Sequence, residues 1–339
     1  MTTTKNNLIL VTGASGFLGK YLVEQLIKGG KSVRALIRTS TLHLEKLGVE
    51  IIRGDVCDPK ICAQAVEGVS EIYHLAGKVS RNPDDGPSMY RLHVEGTRTL
   101  LSVAGILKIP PRVVVVSTSG TVAVSKSGDE ISNEECPYRM ETVSNWPYYL
   151  SKIYQEQTAF QLGEEFGLEV VVVNPSLLLG PGDERGSSTG DVEKVVRGRM
   201  PLIPKGGGLA FVDARDAADG TILAMNHGKS GQRYLLSATN MTLSAFMGRV
   251  ARLAEVPAPR SIPGNNAIKS AGRLVEALFR RFDYEPPIDN QSLEMAEHTW
   301  YVDASLAEQE LGWKTRDPQE TLADTVRDVQ RRHGLGRFE

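Results

Sequence analysis

Leu8-Ile9-Leu10-Val11-Thr12-Gly13-Ala14-Ser15-Gly16-Phe17-Leu18-Gly19 is the stretch that decides the fold. A short apolar run leads straight into glycines at every third position, and apolar residues at helical spacing follow over Tyr21–Lys28. A tight turn needs the dihedral freedom of Gly13. A residue without a side chain at Gly16 lets a phosphate approach the backbone, and Gly19 lets the helix pack close to the sheet. The helix start offers unpaired N–H groups and the positive end of its dipole, so Gly13, Ser15, Gly16, Phe17, Leu18 and Gly19 suit the pyrophosphate of a dinucleotide. Glycine-rich turns are common, but the strand before and the helix after make this one specific.

The next strand, Ser32–Ile37, ends in Arg38. About 20 residues past such glycines an NAD enzyme normally presents a carboxylate to the ribose hydroxyls. Arg38 stands there instead, followed by the hydroxyls of Thr39, Ser40 and Thr41. A guanidinium can clamp a 2′-phosphate bidentately, so NADP(H) is expected over NAD(H). The plainer reading makes Arg38 a solvated strand-end residue.

Further strands are read at Glu50–Arg53, Glu71–Leu75, Arg112–Ser117 and Glu169–Asn174. They are continuous apolar runs rather than alternating ones, as expected of strands covered on both faces. Helical spacing over Pro59–Val66, Met89–Leu107 and Tyr148–Phe166 supplies the crossovers, so an α/β fold with a doubly wound parallel sheet is expected. After Pro175, glycine and proline punctuate Gly180–Gly190 and Pro201–Gly208 before a mixed tail. The expected division is a nucleotide-binding domain over 6–175 plus about 209–237, and a smaller α/β substrate lobe over about 176–208 and 238–332. Ala267–Phe282 carries an apolar stripe with basic residues elsewhere, which reads as a lid helix or a membrane-surface helix. Glu320–Arg332 reads as a closing surface helix.

The 339 residues suffice for a large domain with a smaller partner. A formal charge of −2, with no long run of either sign, gives no reason to expect nucleic acid or an anionic membrane. Cys57, Cys62 and Cys136 lack CxxC spacing and are odd in number, so reduced, buried thiols are expected rather than a zinc site or a disulfide framework. The start is polar and no apolar stretch approaches the ~20 residues of a membrane span, so a soluble, cytoplasmic protein is expected. No histidine or carboxylate cluster has metal-ligand spacing, and His74 reads as a strand residue.

Tyr148-Tyr149-Leu150-Ser151-Lys152 opens a helical segment just after Pro147. Residues four apart share a helix face, so the Tyr148 phenol and the Lys152 ammonium are expected to point into one space. A phenol titrates near 10, and an adjacent cation would pull it toward the working range of an acid or base. Tyr149 is a competing phenol, but it is only three residues before Lys152.

With these residues in view, the chain resembles the extended short-chain dehydrogenase/reductase family, over residues 8 to about 180. The resemblance rests on the glycine turn, Gly54-Asp55-Val56, His74-Leu75-Ala76-Gly77, Ser117-Thr118-Ser119, Tyr148-x-x-x-Lys152 and Asn174-Pro175-Ser176. Arg38 and Thr118-Ser119-Gly120-Thr121-Val122 are similar to the dihydroflavonol-4-reductase-like and 3β-hydroxysteroid-dehydrogenase-like branch. The resemblance implies a Rossmann domain in which Asp55 and Val56 sit beside the adenine. It places Leu75, Ala76, Gly77 and Lys78 along the ribose and phosphate path, and Pro175, Ser176 and Leu178 at the nicotinamide. It also makes Lys152 a ligand of the nicotinamide ribose, Ser119 a hydrogen-bonding partner of the substrate oxygen, with Ser117 and Thr118 competing, and Tyr148 the acid or base. Two departures stand out. His93 occupies a position where many members have Asn, and Ala123-Val124 replaces the Tyr-Gly pair usual in sugar-nucleotide members.

The leading expectation is an NADP(H)-dependent oxidoreductase acting on a ketone, an aldehyde or the corresponding alcohol of a fairly apolar small molecule. A nucleotide-sugar epimerase or dehydratase that retains its cofactor is the alternative, and a non-catalytic NADP(H) sensor the third reading. Substrate contacts are expected from Arg81–Tyr90, Cys136–Trp146, Gly182–Lys205 and the tail around Ile268–Ile288. A homodimer formed through Met89–Leu107 and Tyr148–Phe166 is what the family implies.

Overall fold

The computed structural model describes residues 8–39, 42–126, 128, 130–262 and 290–335. The chain opens with β1 (Leu8–Thr12), α1 (Phe17–Lys28), β2 (Ser32–Ile37), α2 (Leu42–Lys46), β3 (Glu50–Arg53), α3 (Pro59–Val66) and β4 (Glu71–His74). Next, α4 (Gly86–Tyr90) passes through a π-helical turn at Arg91–Glu95 into α5 (Gly96–Gly105), followed by β5 (Arg112–Val116) and a 3-10 turn at Ser119–Thr121. Then come β6 (Ile131–Ser132), α6 (Met140–Val143), α7 (Pro147–Phe166), β7 (Val170–Pro175) and β8 (Leu177–Leu179). The second half contributes α8 (Gly190–Val196), β9 (Leu202–Pro204), β10 (Gly208–Asp213), α9 (Ala214–His227), β11 (Arg233–Leu236) and β12 (Thr239–Thr242). It closes with α10 (Leu243–Leu253), β13 (Arg260–Ile262), α11 (Asn290–Ala296), β14 (Tyr301–Val302), α12 (Ser305–Leu311) and α13 (Pro318–Arg332).

The parallel, doubly wound sheet is present, with strand order β11-β7-β5-β4-β1-β2-β3. Alternation along β5 shows why its apolar run is continuous. Val113 and Val115 pack under α3, α5 and α7, whereas Val114 faces the side covered by α1 and α9, and all three are fully buried. Each such valine contributes about 1.5–3 kcal/mol relative to exposure. The chain leaves β1 in both directions, to β2 and to β4, with Thr12 paired to His74. This reversal opens a crevice at the carboxyl ends of β1 and β4, where such sheets bind ligands.

A smaller sheet, β12-β10-β8, packs with α8, α10 and α13 around Phe211, Phe246, Leu322 and Val326. The chain steps directly between the two sheets at Ser176 and at Ser237, which lie side by side, and it returns from β10 to β11 through α9. Ser176 N–H donates to Leu236 O, Ala238 N–H donates to Phe211 O, and Phe211 pairs with Leu177.

Boundaries differ from the sequence reading in physical detail. Helix α1 begins at Phe17 rather than Tyr21, because Gly16 is its extended N-cap. Met89–Leu107 is not one regular helix: it starts at Gly86, widens at the π turn and ends at Gly105. The closing helix begins at Pro318, where Asp317 caps it. Cys62 is buried, while Cys57 and Cys136 are only half-buried. Ala267–Phe282 and the tail around Ile268–Ile288 expected to contact substrate lie outside the described residues. Among those described, no helix is long and apolar enough to cross a membrane.

Candidate active site

The glycine turn sits at the crevice. Gly13 has φ +70°, and a Cβ there would lie 2.6 Å from the carbonyl of Leu75; one on Gly19 would lie 2.3 Å from Gly13 O. The turn, the loop after β4 and the start of α1 are therefore packed backbone against backbone. Gly16 caps α1 without a side chain, and no acidic residue lies in the first turn, which leaves the helix start open to an anion. Ser15 precedes this cap, Phe17 opens the helix edge-on to Tyr21, and Leu18 is buried beneath it.

Arg38 is exposed at the end of β2. In the loop after β3, Asp55 accepts from Cys57 N–H and from Arg91 at 3.0 Å. Burial acts to raise the Asp55 pKa, but these hydrogen bonds hold it below the ordinary carboxylate value. Val56 is buried against Gly96. Beyond β4, Leu75 N–H donates to Thr12 O and Ala76 N–H to Thr12 Oγ1. Gly77 lies against the His93 ring, and the Lys78 ammonium is paired with Asp85 at 2.5 Å.

Next to this crevice is a cavity of about 320 Å³. Tyr148, Tyr149, Thr118 and Ser119 line one wall, Pro175, Ser176 and Leu178 another, and Val192, Phe246 and Met247 close the lobe side. Tyr149 and Trp300 lie 4.9 Å apart as tilted rings over Gly120, and Trp146 stacks behind Trp300. At the rim, Arg81 makes a bidentate pair with Asp191 of α8 and also donates to Ser292 of α11.

Tyr148 is the second residue of α7, after Pro147 at its first turn. It hydrogen-bonds Thr118, while Ser119 lines the same wall from the 3-10 turn. Burial raises the Tyr148 pKa above its ordinary value, Tyr149 adds to this and Thr118 opposes it. The phenol is therefore held protonated. Lys152, one turn further on, is turned beneath the floor, where its Nζ donates to Val116 O at 2.7 Å and Gln155 Oε1 at 2.5 Å. Burial pulls the Lys152 pKa down to about 7, against the opposing influence of Glu156. At Tyr148 burial outweighs the other influences, and Lys152, expected to act on the phenol, directs two of its three donors to Val116 O and Gln155 Oε1.

Beneath this floor runs a buried polar network. Gln155 Nε2 donates to Thr97 Oγ1, whose hydroxyl donates to His93 O, and His74 bridges Thr97 and Thr12. Glu156 is fully buried, accepting from Ser117 Oγ at 2.5 Å and from Asn174 Nδ2 at 2.7 Å. Gln155 and Glu156 lie three and four residues beyond Lys152, a spacing that could have flagged them. Trp300, Arg81 and Asp191 sit in no motif. The expected contacts from Gly182–Lys205 and Arg81 do line the cavity, whereas Cys136–Trp146 stands behind it, with Trp146 backing Trp300.

A switch-point crevice with a glycine turn, beside a cavity floored by a phenol, defines a dinucleotide-dependent α/β enzyme of the Rossmann type. Residues 9–237 match the NAD dependent epimerase/dehydratase family, and the chain belongs to it. This is the extended short-chain dehydrogenase/reductase group whose motifs the sequence carries, and its members use a nicotinamide cofactor. A Synechocystis sp. protein with a provisional dihydroflavonol 4-reductase name is 31% identical over 332 residues, 96% of this chain and 94% of that protein. Sterol demethylase protein B of Methylococcus capsulatus is 32% identical over 326 residues, 94% of this chain and 96% of that one. Among solved structures, gox2253 superposes with a TM-score of 0.82 at 28% identity, covering 98% of this chain and 100% of the other.

Proposed function

We propose that this chain is an NADP(H)-dependent reductase or dehydrogenase of a carbonyl or secondary alcohol on a fairly apolar small molecule. The observation that carries the reading is the cavity itself: Val192, Phe246 and Met247 line its lobe side, with Asp191, Lys194 and Arg199 also in the lining, and Tyr149 and Trp300 wall it beside the Tyr148 phenol. The reductase and sterol names of the relatives point the same way.

The residues present fit a nicotinamide dinucleotide. Side chains at Gly13 or Gly19 would fill the cradle, α1 begins uncapped, and Ser176 Oγ is buried beside the cavity without a hydrogen-bond partner. Gly13 to Gly19 would hold the pyrophosphate, Arg38 the 2′-phosphate, and Asp55 and Val56 the adenine end. Leu75, Ala76, Gly77 and Lys78 would follow the ribose and phosphate path, and Pro175, Ser176 and Leu178 would meet the nicotinamide. Lys152 keeps a third N–H for the ribose hydroxyls. Bound there, the nicotinamide supplies or accepts hydride.

Tyr148 then holds a proton at its Oη, oriented by Thr118, for the carbonyl oxygen, and Ser119 steadies that oxygen by a hydrogen bond. The test is NADPH oxidation across a panel of apolar ketones and aldehydes, with Tyr148→Phe alongside. Turnover should fall at least about 100-fold in the variant while NADPH affinity stays within about twofold. No oxidation by the unaltered chain across the panel, or a tightly held cofactor that survives purification, would instead favour the epimerase reading.

A further inference from the structure

We infer that His93 is a neutral strut of fixed tautomer that holds the cofactor loop at a set distance from the Tyr148 turn of α7. The inference rests on the site assignment above and concerns a residue with no role in it.

His93 is fully buried in the π-helical turn, where Gly96 N–H donates to Arg91 O five residues back. The widened turn aims the ring between two segments, and π turns of this kind often occur at functional sites. On one side Lys78 N–H donates to His93 Nε2 at 3.0 Å. A backbone amide can only donate, so Nε2 is bare and the ring proton must sit on Nδ1. On the other side Nδ1–H faces Ser151 Oγ at 2.8 Å, and Ser151 donates its own proton to Tyr148 O at 2.8 Å. The His93 ring also meets the Tyr148 ring edge-on, with centroids 6.0 Å apart.

The chain of contacts therefore runs from the Leu75–Lys78 loop through one imidazole to the backbone and ring of Tyr148. Because Nε2 ends on an amide, the ring has no route to pass a proton: it is a positioning residue. Neutrality is enforced by its surroundings. Burial holds the His93 pKa well below the ordinary value, and the Lys152 ammonium of α7 and His74 of β4 push the same way. The amide of Lys78 can hydrogen-bond Nε2 only while the ring is neutral, so it favours the same state. His74, held by Thr12 and Thr97, is itself brought down to about 3.

The two halves of the strut can be separated with two amides. In His93→Asn the side-chain amide reaches the Nδ1 position and keeps Ser151 but loses Lys78. In His93→Gln it reaches the Nε2 position and keeps Lys78 but loses Ser151. His93→Asn should raise the NADPH dissociation constant roughly tenfold with kcat at saturation within about twofold, and His93→Gln should show the opposite split. Parallel changes in both parameters, or no change in either variant, would overturn the strut. Nitrogen-15 NMR of the unaltered chain supplies a readout that needs neither folding of a variant nor turnover. His93 should show a protonated Nδ1 and a bare Nε2 from pH 5 to 8; a proton on Nε2 or titration in that range would overturn the inference. If NADPH binds with no ketone turnover, the functional assignment fails, while the NMR result and the binding arm still decide the strut.

Discussion

Gly19→Ala probes the packing of the glycine turn directly. The new Cβ would lie 2.3 Å from Gly13 O and 2.9 Å from Ala14 Cα, both backbone atoms with no rotamer to give way. Comfortable carbon–oxygen contacts begin near ~3.3 Å, so the start of α1 must retreat by about 1 Å. Overpacking of this kind costs about 1–3 kcal/mol, and the backbone obstacle places it at the upper end. For a chain of 339 residues a loss of about 3 kcal/mol lowers the melting midpoint by roughly 4 °C. The same retreat carries the helix-start N–H groups from about 2.9 Å to nearly 4 Å from a docked phosphate, beyond hydrogen-bond reach. One or two charge-assisted bonds are lost, and the NADPH dissociation constant should rise roughly 10- to 100-fold in a nicotinamide fluorescence titration. Gly248→Ala is the control. It lies inside α10 with nothing within 4 Å of its Cβ, and alanine there should stabilise by about 0.5–1 kcal/mol without touching affinity. A Gly19→Ala protein with an unchanged midpoint and unchanged NADPH affinity would refute the reasoning.

Arg38→Ala should weaken NADPH binding about 10- to 100-fold and leave NADH unchanged; equal losses for both cofactors would remove Arg38 from the 2′-phosphate. Asp183 is buried and accepts from the backbone of Ser187, Ser188 and Thr189 and from two of their hydroxyls, so Asp183→Ala should cost about 2–4 kcal/mol. Denaturant unfolding measures that loss, and a variant within about 0.5 kcal/mol of the parent would show the loop to hold itself. Burial pulls the Lys152 pKa down from the ordinary 10.5 to about 7 in the folded chain. Between those values the unfolded chain binds the extra proton, so the parent's stability relative to Lys152→Met should rise with pH from about 7 to 10.5. A difference that stays flat or falls over this range would place the folded-state value elsewhere.

Much of the sheet was legible because burial on both faces leaves an unbroken apolar run, as Val113 to Val116 show. The glycine turn was legible because backbone contact at Gly13 and Gly19 admits no other residue. The π turn at Arg91–Glu95 was not, since one extra residue per turn leaves the apolar spacing of Met89–Leu107 almost unaltered. The side-chain direction of Lys152 also escaped. Helical spacing places it on the face of Tyr148, but the carbonyl of Val116 and the amide of Gln155 determine where the ammonium goes. Trp300 reaches Tyr149 from far along the chain, and no local pattern announces such a pairing.

The crossings at Ser176 and Ser237 fix one side of the cleft. The backbone bonds from Ser176 to Leu236 and from Ala238 to Phe211 stitch strands of both sheets along a line beside the wall formed by Pro175, Ser176 and Leu178. Away from this line, the Arg81–Asp191 pair and the Tyr149–Trp300 contact tie the second half of the chain to the other side of the cavity. The cavity is thus held on both sides, by backbone at the crossings and by side chains at the rim.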